Sequence, residues 1–274
     1  MDDPGGMEHR VSDLVRQIAV ISATCYMLVA AAVGSGLLGG TPVQDLQDGA
    51  LAADGSYLAP AGPAFSIWTV IYLLLVAYAI WQALPSQRAR VRQRDLGWWI
   101  ALTAVLNGTW LVLAQFTTLP LTVAGIVLLL AALCVTFVQT ERSPAEGLAD
   151  RILIDATTGL HLGWVSLATV ANVSAWLTAE GPQEWAGAAD AAGIAVLVAV
   201  GVLGIALARG STWRVTPGLA LVWGLAWIAE GRLEGEPEST AIGVTAAVVA
   251  VIVLAVTLIG ALVHRMIDLR NADA

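Results

Sequence analysis

The chain has 274 residues, of which 58% are hydrophobic and only 12% charged, with mean hydropathy +0.77. That excludes an ordinary soluble domain, where about a quarter of residues carry charge. A formal charge of −8, from 21 acids against 13 arginines and no lysine, gives no sign of nucleic-acid binding, whose minimum electrostatic footprint is a basic patch. The two cysteines, Cys25 and Cys134, lie inside apolar runs. They supply neither a disulfide framework nor a metal motif, and are expected to pack as small hydrophobes.

The first sixteen residues are polar and acidic, and no cleavable signal is expected there. Eight apolar runs follow, over residues 17–39, 64–84, 96–117, 119–139, 152–177, 189–208, 213–230 and 240–264. A helix needs ~20 apolar residues to cross a ~30 Å hydrocarbon core. Runs such as 244–263 have no polar face, as a soluble amphipathic helix would. None alternates with period two, as barrel strands do. The predicted fold is therefore all-α, a polytopic membrane bundle of eight transmembrane helices. The run 213–230 is the shortest, with Pro217 in its first turn, where proline is tolerated.

The loops alternate in charge. Arg10, Arg16, Arg88, Arg90, Arg92, Arg94, Arg142, Arg151, Arg209, Arg214, Arg265 and Arg270 fall on one side, and only Arg232 on the other. By the positive-inside rule, both termini are expected on the cytoplasmic side of a bacterial plasma membrane, which requires an even number of spans. The chain divides into residues 1–178, with five spans and nearly all the embedded polar and aromatic residues, and residues 179–274, with three spans of mainly Ala, Val, Leu and Gly. No inverted repeat is evident.

Three segments carry a chemical signal. In the second span Phe65, Trp68 and Tyr72 share one helix face, after Pro60 and Pro63. In the third, Trp99, Thr103, Asn107 and Trp110 do so; in the fifth, Trp164, Ala168, Asn172 and Trp176. Interfacial anchoring accounts for Trp98, Trp185 and Trp213. It does not account for Trp164, ~18 Å from the inner end of its helix, nor for Asn107, ~16 Å deep, at 1.5 Å per residue. An asparagine at that depth must face the bundle, either as an interhelical hydrogen bond or as a ligand contact.

Together these segments resemble the TspO / translocator protein family, the tryptophan-rich sensory proteins, in the long form with extra C-terminal helices. Phe65-x-x-Trp68-x-x-x-Tyr72, Leu106-Asn107-x-x-Trp110 with Pro120 opening the next span, and Trp164-x-x-x-Ala168-x-x-x-Asn172 are similar to that family's patterns in order and spacing. Two features depart from it: Ala59-Pro-Ala-Gly-Pro63 replaces a Trp-x-Pro-Pro approach, and His161 stands where an aromatic is usual. The resemblance implies a five-helix core, over roughly residues 17–178, with an aromatic pocket under a lid formed by residues 40–63. It implies a receptor, sensor or transporter that binds tetrapyrroles (porphyrin or haem-related) or similar lipophiles. The implied ligand-binding residues are Phe65, Trp68, Tyr72, Asn107, Trp110, His161, Trp164, Ala168 and Asn172. No cofactor is required, porphyrin or haem entering only as a ligand. Membrane lipid and a lipophilic small molecule are the implied partners, with no nucleic acid, and family members are often homodimers.

Other groups leave alternatives open. Asp155, His161 and Glu230 are ionisable groups in or beside spans, and suit a proton-coupled secondary transporter. Asp155 also stands one turn from Arg151, and His161 has the chemistry to ligate haem iron or to hydrogen-bond a neighbour. A porphyrin-degrading enzyme is a further reading, although no nucleophile elbow or paired base is present and no catalytic residue is assigned. Trp223, Trp227 and Glu230 line one face of the seventh span, either a second contact surface or a packing seam. In the plainest reading the tryptophans only pack.

Overall fold

The computed structural model describes residues 4–210 and 215–272, so the predicted anchor Trp213 and the loop residue Arg214 lie outside the described residues. The described residues contain eight long helices and no strand. These are α1 (Pro4–Gly34), α2 (Ile67–Ala83), α3 (Val91–Phe116), α4 (Leu119–Arg142), α5 (Leu148–Glu180), α6 (Ala189–Gly210), α7 (Val215–Leu233) and α8 (Thr240–Ala272). Seven of them are long and apolar enough to cross a membrane; α7, the shortest of the late helices, carries Glu230 and Arg232 near its end. Large apolar side chains such as Leu73, Leu128, Val202 and Val251 point outward, as hydrocarbon solvent favours and water does not. The protein is an integral membrane helical bundle.

Helix α1 starts well before the apolar run, because its polar first third has partners. Asp13, Arg16 and Gln17 are buried while Val11, Leu14, Val15 and Ile18 are exposed, the reverse of a soluble amphipathic helix. The helix stops at Gly34, short of residue 39, because the chain turns at Gly36 and Gly39 with φ of 81° and 86°, where glycine has no Cβ penalty. Cys25 and Cys134 are both exposed, on the outer surfaces of α1 and α4.

Helix α1 packs on α3 and α2, α3 on α4, α4 on α5, and α5 on α7, which also packs on α8; α6 lies against α8. Glycines permit the α5–α7 approach. Gly163 faces the Pro217 carbonyl and Ala220, and Gly224 faces Leu167 and Trp164. One buried core runs through the bundle, joining Ile71, Ile100 and Trp164 to Leu197, Leu225 and Val253.

The two ends of the bundle differ. At one end α1, α2, α3 and α5 share a dense polar network. Arg94 donates to both Asp13 carboxylate oxygens (2.7 and 2.6 Å), Arg90 to Glu146 and Asp150 (both 2.7 Å), Arg16 to the Arg88 carbonyl (2.8 Å) and Tyr78 to Gln93 (2.9 Å). The paired Asp150 and Glu146 carboxylates hold the Arg90 guanidinium above its usual pKa, the Asp150 hydrogen bond contributing most. Arg92, almost wholly buried, donates to Asp155, so Asp155 finds its cation on another helix. Asp155 sits in a π turn, Arg151–Ala156, which breaks the regular 3.6-residue spacing below His161. Gly159 of α5 touches Thr216 of α7, and Gly218 of α7 touches Thr257 of α8. The C-terminal part of α8 therefore leaves at the same end as the start of α1. At the other end, the α1–α2 connection folds over the helices through short 3₁₀ turns at Val43–Asp45 and Gln47–Gly49.

Candidate functional site

A chamber of about 60 Å³ lies under that connection. Its walls include Phe65 and Trp68 of the α2 approach and helix, Asn107 and Trp110 of α3, Ile126 and Leu129 of α4, and Trp164, Ala168 and Asn172 of α5. Its roof includes Val43, Ala50, Leu51, Ala52, Ala59 and Pro60. A wider cleft of about 580 Å³ adjoins it between α1, α2 and α3. The two share Val43, Leu51, Phe65, Trp68 and Trp110, and Tyr72 lines the cleft. Eight of the nine residues singled out in the sequence thus face one or both spaces; His161 lines neither.

Trp68 is the centre of an aromatic cluster. It stacks on Tyr72 (centroids 5.3 Å apart, planes at 25°) and meets His161 and Trp164 edge-on at 5.8 and 6.1 Å. Phe65 meets Trp164 at 5.9 Å, with planes at 85°. Edge-to-face pairs of this kind fix ring orientations beyond what area burial alone would do. Trp164 is buried to 1% exposure, whereas Phe65 is 41% exposed at the rim.

The polar groups are tied across helices. Tyr72 donates to Asn107 Oδ1 (3.1 Å), and Asn107 Nδ2 lies 3.3 Å from His161 Nε2. An amide nitrogen only donates, so His161 Nε2 accepts and the ring proton sits on Nδ1. Asn107 is therefore both a wall residue and an interhelical bridge, and His161 supports it from behind. With Nε2 against the Asn107 amide and no part of the residue lining either space, His161 is not placed to ligate iron in this arrangement. Thr122 of α4 donates to Asn172 Oδ1 (3.1 Å). The indole N–H groups of Trp110 and Trp164 are buried without a partner in the protein.

Asn107→Ala would leave both the Tyr72 hydroxyl and the His161 acceptor unmatched. Its expected cost is ~1–3 kcal/mol, against ~1 kcal/mol or less for Tyr72→Phe, read from unfolding in mild detergent. Equal effects would mean that the three-residue chain does not act as a unit.

Several features around the chamber gave little or no sequence signal. The roof residues are small and apolar, and nothing in their pattern marks them. Arg232 stood out only as an exception to the charge alternation, yet it is fully buried and donates to the Ser56 (2.8 Å) and Ala53 (2.9 Å) carbonyls of the connection. Trp223, 5.6 Å from Trp227 and edge-on to it, donates to the Ala64 carbonyl (2.8 Å), so that tryptophan line is a packing seam. Trp98 and Trp185 are exposed, as anchors would be.

No curated protein and no solved structure matches the chain. The family description "TSPO-like protein" matches residues 17–259, a stretch that takes in the aromatic chamber, its roof and most of the three C-terminal helices. The chain belongs to the TSPO-like family.

Proposed function

We propose that this protein is a membrane receptor, sensor or transporter that binds tetrapyrroles or similar flat lipophiles between α2, α3 and α5. One observation carries the reading: aromatic and amide residues from three helices converge on one roofed chamber, with two indole donors lacking protein partners. Flat macrocycles stack on indoles, and a few polar groups fix orientation in an apolar pocket. The chamber itself is small. The adjoining cleft falls within the ~300–1,000 Å³ typical of ligand pockets, so a macrocycle that seats against the chamber walls enters from the cleft and lifts the roof.

We assign the arginine-rich end, with both termini, to the cytoplasmic face of a plasma membrane, on the positive-inside rule. A cysteine at Arg88 (R88C) should react with impermeant maleimide only from the cytoplasmic side, and one at Asp54 (D54C) only from the opposite side; the reverse pattern overturns the assignment.

Protoporphyrin should quench tryptophan fluorescence saturably. Trp68→Ala should weaken binding about tenfold, the loss of one stacking surface being worth ~1–2 kcal/mol. Absence of saturable quenching, or an unchanged affinity in Trp68→Ala, would remove this function. A proton-coupled pathway has less to support it: Asp155 is paired at the arginine-rich end, while Glu230 is exposed at the opposite end.

A further inference from the structure

The roof of the chamber is fastened by a helix outside the five-helix core. Four hydrogen bonds join residues 53–64 to α7. Arg232 donates to the Ser56 and Ala53 carbonyls, Trp223 to the Ala64 carbonyl, and the Ala61 amide to the Trp227 carbonyl (3.0 Å). Arg232 also donates to the Glu236 carbonyl (2.8 Å) beyond its own helix, and Asp54 and Glu236 supply countercharge. The strap they hold is as buried as core: Leu58 is 5% exposed, and Ser56, Ala59, Pro60 and Ala61 are buried with it. Leu58 also packs near Gly193 of α6, so a second added helix backs the strap.

We infer that Arg232 is a positioning residue for ligand retention: it clamps the chamber's roof to α7, so that the C-terminal extension sets how fast a ligand escapes. The argument is geometric. Ala52 and Ala59 are roof residues, and Arg232 grips the carbonyls of Ala53 and Ser56 between them. A guanidinium fits this task because its fixed fork of donors reaches several carbonyls at once. Burying an arginine this deeply is costly unless its hydrogen bonds are made, so loosening the strap exposes that cost and the clamp favours the closed roof. The remainder of the roof is held separately, by Gln47 donating to the Thr117 carbonyl (2.5 Å) at the end of α3. Lifting the roof between these two fastenings is the movement that a macrocycle demands, and α7 sets its resistance at one of them.

The retention claim rests on the proposed ligand function, but the clamp is testable without it. In full-length protein in nanodiscs, hydrogen exchange over residues 53–61, with the Ala61 amide as reporter, should accelerate at least about tenfold in Arg232→Ala, since a single lost charge-assisted hydrogen bond produces that change and the variant loses two to the strap. Exchange in the centres of α1 to α4 should not change. Protoporphyrin release, followed by recovery of tryptophan fluorescence, should accelerate by a similar factor. Trp223→Phe, which keeps an aromatic side chain and removes one donor, should move both readouts the same way by less, and decides the matter if Arg232→Ala fails to fold. Unchanged exchange at 53–61, or acceleration spread evenly over all helices, overturns the clamp. Faster exchange with unchanged release overturns its control of retention. A wild-type protein that binds no protoporphyrin would defeat the ligand reading while the exchange result still judged the clamp.

Discussion

Gly163→Val should remove the cooperative unfolding transition of the purified protein, or lower it by at least ~3 kcal/mol. Position 163 faces α7 where that helix begins. A Cβ there would run into the Pro217 carbonyl and lie 2.9 Å from the Ala220 Cβ. The obstacle is backbone, stiffened by a proline ring, so no rotamer change relieves it. The helices must separate, and Trp164, the next residue, is carried away from the chamber it walls. Gly224→Ala is the informative comparison, because a Cβ there meets the flexible end of Leu167 and costs less. Gly62→Ala, where nothing lies within 4 Å, should be neutral. The measurement is thermal or denaturant unfolding in mild detergent, with protoporphyrin affinity alongside. Gly163→Val at wild-type stability would show that α5 and α7 do not need this close approach.

The second large effect concerns the ion pair between α3 and α5. Arg92→Met should destabilise by ~3–5 kcal/mol, the usual consequence of stripping one partner from a buried pair. Arg92 and Asp155 are both buried, and Arg92 is also 3.7 Å from Asp150. Asp150 keeps Arg90 in the variant, so the loss should centre on Asp155. Arg92→Met combined with Asp155→Leu should recover most of the stability, since an apolar pair of similar volume often equals a buried salt bridge. A double-mutant cycle reads the coupling directly. If the double variant is no better than Arg92→Met alone, the pair is not the unit that links these helices.

The nine candidate residues divide by how they could be recognised. Trp68, Asn107 and Trp164 announce themselves because large aromatics and amides far from a helix end have few other reasons to be there, and spacings of three, four and seven put each set on one face. Ala168 needed the family pattern. His161 shared the motif's position and face but lines neither space, because it lies a turn deeper than Trp164, against the Trp68 ring and the Asn107 amide. The roof residues Ala50, Leu51 and Ala52 left no trace, since small apolar side chains in a loop look the same whether or not a chamber lies beneath them.

By itself the sequence determined the number of long helices, their all-α membrane character and the alignment of three marked faces. Those features depend on run length and on residues a few positions apart, which hydrocarbon thickness and helical pitch constrain locally. The tertiary structure alone decided which charges are satisfied and by whom. Arg92 meets Asp155 across 63 residues, Tyr72 reaches His161 through Asn107, and Arg232 reaches back 176 residues to hold the roof. A partner on another helix leaves no periodicity behind, because buried polar groups are paired by packing in space and not by spacing along the chain.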